Sequence, residues 1–228
     1  MAVVQMDKVV KSYKVGEIEV PALRGISFKI EKGEFTAIAG PSGSGKTTLL
    51  NIFGCLDRPT SGTVLIEEHD TIKLKPDELA DVRNRHIGFI FQTFNLIPVL
   101  TAFENVEFPL VLLKIKDPKE RKERVMKALT DVKIGELAGR KPSEMSGGQQ
   151  QRVAIARALV KGPDYVLADE PTANIDTKTG HEILDLMLSM NETKKTTFIF
   201  STHDPKVMER AKRLIKIRDG QVESDEKF

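Results

Sequence analysis

The sequence of 228 residues contains a single cysteine, Cys55. One thiol cannot form the intrachain disulfide framework that is typical of small secreted domains, so its scarcity favours a reducing compartment. Cys55 lies in an apolar stretch, and free cysteines are usually buried. We therefore expect it to be a small residue of the hydrophobic core.

The sequence also lacks segments for export or for crossing a membrane. No uninterrupted apolar run approaches the ~20 residues that a membrane helix requires. The N-terminus, MAVVQMDKVVKSY, has no long apolar run ahead of a small-residue cleavage site, which a signal peptide would need. We therefore expect a soluble chain that is cytosolic unless a membrane partner holds it at a surface.

The chain also has no large excess of charge of either sign. The chain has 35 basic and 33 acidic residues, a net charge of +2, which gives no electrostatic case for a nucleic-acid ligand. The basic run 114–127 mixes both signs at helical spacing, which indicates a solvated helix face. We therefore predict that nucleic acid is not a partner.

Strand-like and helix-like stretches alternate along the chain. The segments FTAIA (35–39) and DYVLAD (164–169) are apolar enough to be buried on both faces of a sheet. Residues 93–160, in contrast, carry almost only helical signals. The pattern predicts an α/β fold with a mostly parallel sheet. We expect one domain over 1–228, with a core and an N-terminal antiparallel β sub-domain from 1–92 and 161–228, and a helical sub-domain over 93–160.

A phosphate-binding loop follows the first buried strand. Residues 40–47 are GPSGSGKT, which matches G-x-x-x-x-G-K-[ST] in the required strand–loop–helix context. Lys46 would reach the β- and γ-phosphates, and the Thr47 hydroxyl would ligate Mg²⁺. This motif predicts a P-loop NTPase core. The candidate nucleotide-binding residues here are Gly40, Ser42, Gly43, Ser44, Gly45, Lys46, Thr47 and Thr48.

Two acids follow the second buried strand. DYVLADE places Asp169 at the strand end, where a carboxylate can meet Mg²⁺ beside the P-loop strand. Glu170 comes next and can orient or deprotonate the attacking water. Tandem acids here favour hydrolysis over transfer to a second substrate. The sequence lacks the guanine-reading motif N-K-x-D, which weighs against a GTPase.

A second glycine-rich helix start lies about a hundred residues after the first, in SEMSGGQQQR. Ser146, Gly147 and Gly148 would form an anion-binding helix N-terminus. This segment has no lysine and no acid to hold a metal, so it cannot bind ATP by itself. It makes sense as a lid over a nucleotide that another P-loop holds.

With these motifs in order, the sequence resembles the nucleotide-binding subunit of an ABC transporter over essentially the whole chain. MSGGQ, up to Gln149, matches the signature with Met145 in place of leucine. The resemblance assigns further roles to four residues, each matched to a family motif: adenine stacking to Tyr13, the Q-loop to Gln92, the D-loop to Asp176 in ANID, and the switch histidine to His203.

The resemblance implies ATP and Mg²⁺ as cofactors and two copies of the chain joined head-to-tail around two ATP molecules. It implies that catalysis rests on Glu170, His203 and Lys46, and that Thr47, Gln92 and Asp169 ligate the metal. It further implies a separate membrane permease, which would hold the chain at the inner face of the cell membrane.

The stretch FNLIPVLTAFENVEFPL, with GCLDRPTSG, is similar to the lipoprotein-releasing and macrolide-export ATPases. Its apolar residues Phe94, Leu96, Ile97 and Leu100 would suit a permease helix or the sub-domain core.

Two other functions are alternatives to a transporter subunit, and the sequence argues against both. A soluble ABC ATPase of DNA repair or translation usually carries a long coiled-coil insertion or two cassettes, and neither fits into 228 residues. A clamp of the cell-division type, acting on a membrane partner without hydrolysis, is opposed by Glu170.

Overall fold

The computed structural model describes residues 1–228, with the exception of the Val15 side chain. The strands are β1 Ala2–Val15, β2 Ile18–Glu31, β3 Phe35–Ala39, β4 Ser61–Ile66, β5 His69–Asp70, β6 Ile87–Ile90, β7 Tyr165–Asp169, β8 Thr197–Thr202, β9 Arg213–Arg218 and β10 Gln221–Lys227. The α-helices are α1 Lys46–Phe53, α2 Pro76–His86, α3 Ala102–Leu112, α4 Pro118–Asp131, α5 Gly147–Leu159, α6 Thr177–Lys194 and α7 Pro205–Arg210.

The strands form two sheets. A six-stranded sheet has the order β10-β9-β3-β8-β7-β6, with β9 to β6 parallel and β10 antiparallel at one edge. A four-stranded antiparallel sheet has the order β2-β1-β4-β5. The α/β fold with a mostly parallel sheet and an antiparallel N-terminal sheet is confirmed.

The six-stranded sheet is buried on both faces because alternate residues of its strands enter two different cores. Ala37, Phe198 and Phe200 belong to one hydrophobic cluster, which also contains residues of α3 to α7. Ile38 and Ile199 belong to the other, which is shared with α1, α2 and the antiparallel sheet. This position between two cores explains why four of the five residues of FTAIA are apolar and why all five are buried.

Some element bounds differ from the sequence-based expectation. The alternating segment ISFKI (26–30) predicts a short strand, but in the structure it is the end of a longer strand, β2, which begins at Ile18 and pairs with β1 in a long hairpin. Gly16 in the connecting turn has a φ of 63°, a conformation that glycine adopts freely. Five of the first seven residues of β2 are exposed, although most of the seven are apolar, so the alternation of buried and exposed residues does not reveal this part of the strand.

The predicted helical stretch 93–160 contains α3, α4, two short 3₁₀ turns and α5. The sequence TAFE (101–104) fits the T-x-x-E pattern of a capping box. Thr101 caps α3 by accepting from the Glu104 amide, and the Glu104 side chain accepts a hydrogen bond from the Thr101 amide. Cys55 is buried, and burial raises the pKa of its thiol to about 11. It is therefore a core residue that stays protonated.

Candidate functional site

The phosphate loop lies between the carboxyl end of β3 and the start of α1, tight against two other strands. A Cβ on Gly40 would lie 2.1 Å from the Ile217 carbonyl oxygen, and one on Gly45 would lie 2.7 Å from that of Ala22. Gly45 also has a φ of 105°, a conformation that is strained for other residues. No described side chain caps the start of α1, so its first amides are free to bind an anion.

The Lys46 ammonium group folds back over this loop. Its Nζ donates hydrogen bonds to the carbonyl oxygens of Gly40 at 2.7 Å and Pro41 at 2.9 Å. Because both are neutral acceptors, the charge of Lys46 is available to an anion in the loop. Ser44 is buried behind the loop, and its hydroxyl has no partner within the described residues.

A cleft of about 620 Å³ opens above the loop at the carboxyl ends of the parallel strands. The predicted site residues that line it are Ser42, Gly43, Gly45, Lys46, Thr47, Thr48, Gln92, Asp169, Glu170 and His203. Residues that the sequence did not single out also line it: Ala22, Pro41 and Ser201. The structure thus brings together residues from five separate parts of the chain.

The Asp169 carboxyl group is one of two partly buried acids in this cleft. Burial raises its pKa, the neighbouring Glu170 charge acts in the same direction, and a hydrogen bond with Ser201 and the charge of Lys46 oppose them. The net effect is a raised pKa, so the ionised carboxylate would be stabilised by an added cation. Ser201 lies at the end of β8, directly beside Asp169 in the sheet. Ser201 precedes the predicted His203 by two residues, and this proximity in the sequence could have indicated it.

Glu170 is held by the last residues of β8 and by His203, which follows that strand. Its backbone adopts a φ of 44°, and its amide donates to the Ser201 carbonyl oxygen at 3.0 Å. The carboxylate accepts hydrogen bonds from the Thr202 hydroxyl at 3.0 Å and the His203 amide at 3.1 Å, and it contacts the His203 ring nitrogen Nδ1. Two of the three predicted catalytic side chains, Glu170 and His203, therefore form a pair that lines the cleft.

Tyr13 lies beside the cleft and is not among the residues that line it. Its hydroxyl donates to Asp57 at 2.8 Å, and the Lys11 ammonium lies 4.8 Å from its ring centroid. Burial raises the pKa of Tyr13, while the nearby Thr48 side chain opposes that shift. Asp57 thus anchors the ring near the start of α1. No local pattern in the sequence pointed to Asp57.

The predicted signature residues lie at the start of α5 and do not line the cleft. Ser146 caps the helix by accepting a hydrogen bond from the Gln149 amide at 3.3 Å, and the Gln149 side chain accepts from the Ser146 amide at 2.9 Å. No acceptor within the described residues takes the amide hydrogens of Gly147 and Gly148. The start of α5 therefore offers two free donors.

Asp176 caps the neighbouring helix α6 by accepting from the Thr179 amide at 3.0 Å. The two helix starts are in contact, because a Cβ on Gly148 would lie 2.3 Å from the Thr179 methyl carbon. Asn174, two residues before Asp176, donates from its side chain to the Gln92 carbonyl oxygen at 2.8 Å. This bond links the signature and D-loop region to the cleft.

Two further features of the described residues bear on function. None of the helices is both long enough and apolar enough to span a membrane. Nor does the described part of the chain gather three or more His, Cys, Asp or Glu side chains in a group that could hold a metal ion.

The chain is similar to known proteins in both sequence and fold. The ABC transporter family model matches residues 23–173. The ABC transporter ATP-binding protein YvrO of Bacillus subtilis is 51% identical over 222 residues, which cover 97% of this chain and 96% of YvrO. The macrolide export ATP-binding/permease protein MacB of Syntrophobacter fumaroxidans is 49% identical over 227 residues, 99% of this chain and 32% of the longer MacB.

Among solved structures, the fold is similar to the ATP-binding cassette MJ0796, whose sequence is from Methanocaldococcus jannaschii. The TM-score is 0.89 with 47% sequence identity, and 98% of each chain is covered. That structure is a dimer in a post-hydrolysis state bound to ADP and Pi.

Proposed function

Because the chain belongs to the ABC transporter family as an ATP-binding, ATP-hydrolysing subunit, we propose that its hydrolysis cycle joins and separates two copies and so drives a separate membrane permease. The observation that carries the proposal is the cleft, which places the P-loop, two consecutive acids, a glutamine and a histidine around one space. The cleft opens at the carboxyl ends of the parallel strands, where open α/β sheets bind their ligands.

The P-loop side of the cleft would hold the phosphates. The free amides at the start of α1 face no capping side chain, and Lys46 would exchange its two carbonyl contacts for the β- and γ-phosphate oxygens. His203, which contacts Glu170, would reach the γ-phosphate once that phosphate enters. Glu170 would accept a proton from the attacking water or orient it.

The residues present fit a magnesium ion. Thr47, Gln92 and Asp169 line one side of the cleft with a hydroxyl, an amide and a carboxylate oxygen, the hard oxygen donors that Mg²⁺ prefers. A single carboxylate suits Mg²⁺, because this ion usually completes its shell with water and substrate phosphates. When bound, the ion would neutralise charge that develops on the β- and γ-phosphate oxygens.

The signature would complete the site of a second copy. The amides of Gly147 and Gly148 are unpaired donors at a helix N-terminus, and no residue of this segment lines the cleft of its own chain. A head-to-tail dimer would bring these donors to the γ-phosphate that the partner's Lys46 holds. The dimeric relative MJ0796, bound to ADP and Pi, supports this arrangement.

The permease would be a different polypeptide that binds the helical sub-domain. MacB, of which this chain covers 32%, is named as an ATP-binding/permease protein, and this supports a permease of the lipoprotein-release or macrolide-export type. The region after Gln92 exposes four apolar side chains, Val99, Phe108, Val111 and Leu112. Binding there would hold the chain at the inner face of the membrane, with the remainder in the cytoplasm.

A crosslinking experiment tests whether the signature acts on the partner's nucleotide. In a Cys55→Ser, Glu170→Gln background, Ser42→Cys and Ser146→Cys are placed on two differently tagged chains. The chains are mixed with ATP and treated with a crosslinker that spans one phosphate group. We expect a covalent heterodimer that carries both tags and that depends on ATP.

The same pair of cysteines on one chain distinguishes the alternative. A product of doubled mass supports action in trans. A looped monomer, without any mixed-tag band, would show that the signature closes over its own chain's nucleotide, and the head-to-tail dimer would be wrong.

A further inference from the structure

The loop that carries Gln92 has a strained shape. This segment, residues 91–95, follows β6 and is called the Gln92 loop below. Phe94 and Asn95 have φ angles of 59° and 49°, which side-chain-bearing residues adopt only at an energetic cost. Such a shape persists only when surrounding groups hold it. The groups that do so therefore determine how Gln92 is presented to the cleft.

One of these groups is Arg157, near the end of α5. Its guanidinium donates to the Phe94 carbonyl oxygen at 2.7 Å and also to that of Asn95. Burial lowers the pKa of Arg157 to about 10, so it remains charged at neutral pH. No carboxylate in the described part of the chain pairs with it. A largely buried cation whose only partners are two consecutive carbonyls is costly to maintain, and this suggests a task beyond packing.

The other group is Asn174, which donates to the Gln92 carbonyl oxygen at 2.8 Å. The Gln92 loop is thus held from two sides, by Asn174 at its start and by Arg157 at its end. Arg157 also lies on the helix that begins at the signature serine, Ser146. A rigid helix of 13 residues therefore connects the place where a partner's nucleotide would bind to the loop that lines this chain's own cleft.

We propose that Arg157 is a positioning residue for ATP hydrolysis, which fixes the Gln92 loop so that Gln92 meets the metal and the attacking water. The inference rests on the role that the proposed function gives to Gln92. A guanidinium suits this task because its planar fork presents two donors at a fixed spacing, whereas a lysine ammonium is a point charge that cannot match both carbonyls in the same way.

The test compares Arg157→Lys with a matched control, Arg121→Lys. The Arg121 guanidinium also donates to two consecutive carbonyl oxygens, those of Ile115 and Lys116, but it lies in the helical sub-domain and does not touch the Gln92 loop. Hydrogen exchange measured by mass spectrometry on the full chain without nucleotide reports on peptides that span 91–95. We expect faster exchange in this segment for Arg157→Lys, and wild-type exchange there for Arg121→Lys.

ATP turnover at varied Mg²⁺ concentration gives the functional readout. Partners that orient metal ligands typically contribute 10- to 100-fold to metal affinity or activity. We therefore expect Arg157→Lys to raise the Mg²⁺ concentration for half-maximal turnover about tenfold or more. In a Gln92→Ala background the same substitution should add almost nothing, because its effect passes through Gln92.

Each outcome decides the matter. If hydrogen exchange at 91–95 is unchanged in Arg157→Lys, the inference is wrong and the proposed function is unaffected. The same conclusion follows if Arg157→Lys and Arg121→Lys lose ATP turnover to the same extent. The same holds if Arg157→Lys and Gln92→Ala have fully additive effects. If Gln92→Ala itself retains wild-type turnover and Mg²⁺ dependence, the assigned role of Gln92 is wrong, and the inference falls with it.

Discussion

The contact between the starts of α5 and α6 makes a sharp prediction for Gly148. Its φ is not in the left-handed region, so alanine would suit its backbone, and replacing glycine by alanine in a helix usually stabilises by roughly 0.5–1 kcal/mol. The added Cβ, however, would lie 2.3 Å from the Cγ2 of Thr179. The neighbouring side chain, and not the backbone, therefore requires glycine here.

The size of the effect follows from how far Thr179 can move. Its hydroxyl hydrogen-bonds Asp176, and β-branched side chains have few alternative rotamers in helices. Overpacking of this kind costs about 1–3 kcal/mol. After the helix-propensity gain is subtracted, we expect Gly148→Ala to destabilise the chain by about 0.5–2 kcal/mol. In a Thr179→Ser background the methyl group is absent, and Gly148→Ala should become neutral or stabilising by up to about 1 kcal/mol.

Urea unfolding of the wild type, the two single variants and the double variant measures the coupling. Gly139→Ala serves as the control, because a Cβ at Gly139 meets nothing within 4 Å, and its effect should not depend on residue 179. If the effects of Gly148→Ala and Thr179→Ser add to within about 0.5 kcal/mol, the two helix starts are not in the contact described, and the reasoning is refuted.

Three further predictions concern the cleft. Lys46→Ala should abolish tight ATP binding, because the γ-phosphate loses its main cation, and near-unchanged affinity in an equilibrium titration would contradict the P-loop assignment. Asp169→Asn should raise the melting temperature of the nucleotide-free chain at pH 7. Burial raises the pKa of Asp169 in the folded chain, so its charged form destabilises the folded state above the unfolded pKa of roughly 3.9. The gain should vanish below about pH 4, where the wild-type carboxyl is protonated in both states; a pH-independent gain would mean that the charge is not its cause. His203→Ala should cut turnover by about 10²–10³-fold, the usual cost of removing one preorganised hydrogen-bond donor where charge develops, and wild-type turnover would mean that His203 only contacts Glu170.

The order of elements could be predicted from the sequence because the signals for it are local. Alternating hydrophobicity, the P-loop and the capping box at Thr101 each depend on residues within one segment. The strand order β10-β9-β3-β8-β7-β6 could not be predicted from these signals. It depends on which distant segments pair, such as β3 with β8, whose registered residues Phe35 and Phe198 lie far apart in the chain.

The site residues also fall into two groups, those that local sequence signals reveal and those that they do not. Asp169 was expected at the end of a buried strand, and β7 does end there. The expectation that this strand lies beside the P-loop strand was wrong, because β8 separates β7 from β3. Residues that act by holding another residue were missed. Asp57 anchors Tyr13, and Arg157 holds the Gln92 loop, but neither lies in a pattern whose spacing reflects that contact. Supporting contacts are set by tertiary packing, so a single sequence carries no local trace of them.

The signature residues lie away from the cleft of their own chain, a position that local sequence patterns did not reveal. In the capping box at the start of α5, the Ser146 amide donates to the Gln149 side chain and the Gln149 amide donates to the Ser146 hydroxyl. The helix dipole therefore acts outward only through Gly147 and Gly148, whose amides lack partners among the described residues. Contact with Thr179 holds these donors beside α6 and away from the chain's own cleft. This placement supports the proposal that the donors meet an anion held by a second copy, and the crosslinking pattern in trans tests that geometry.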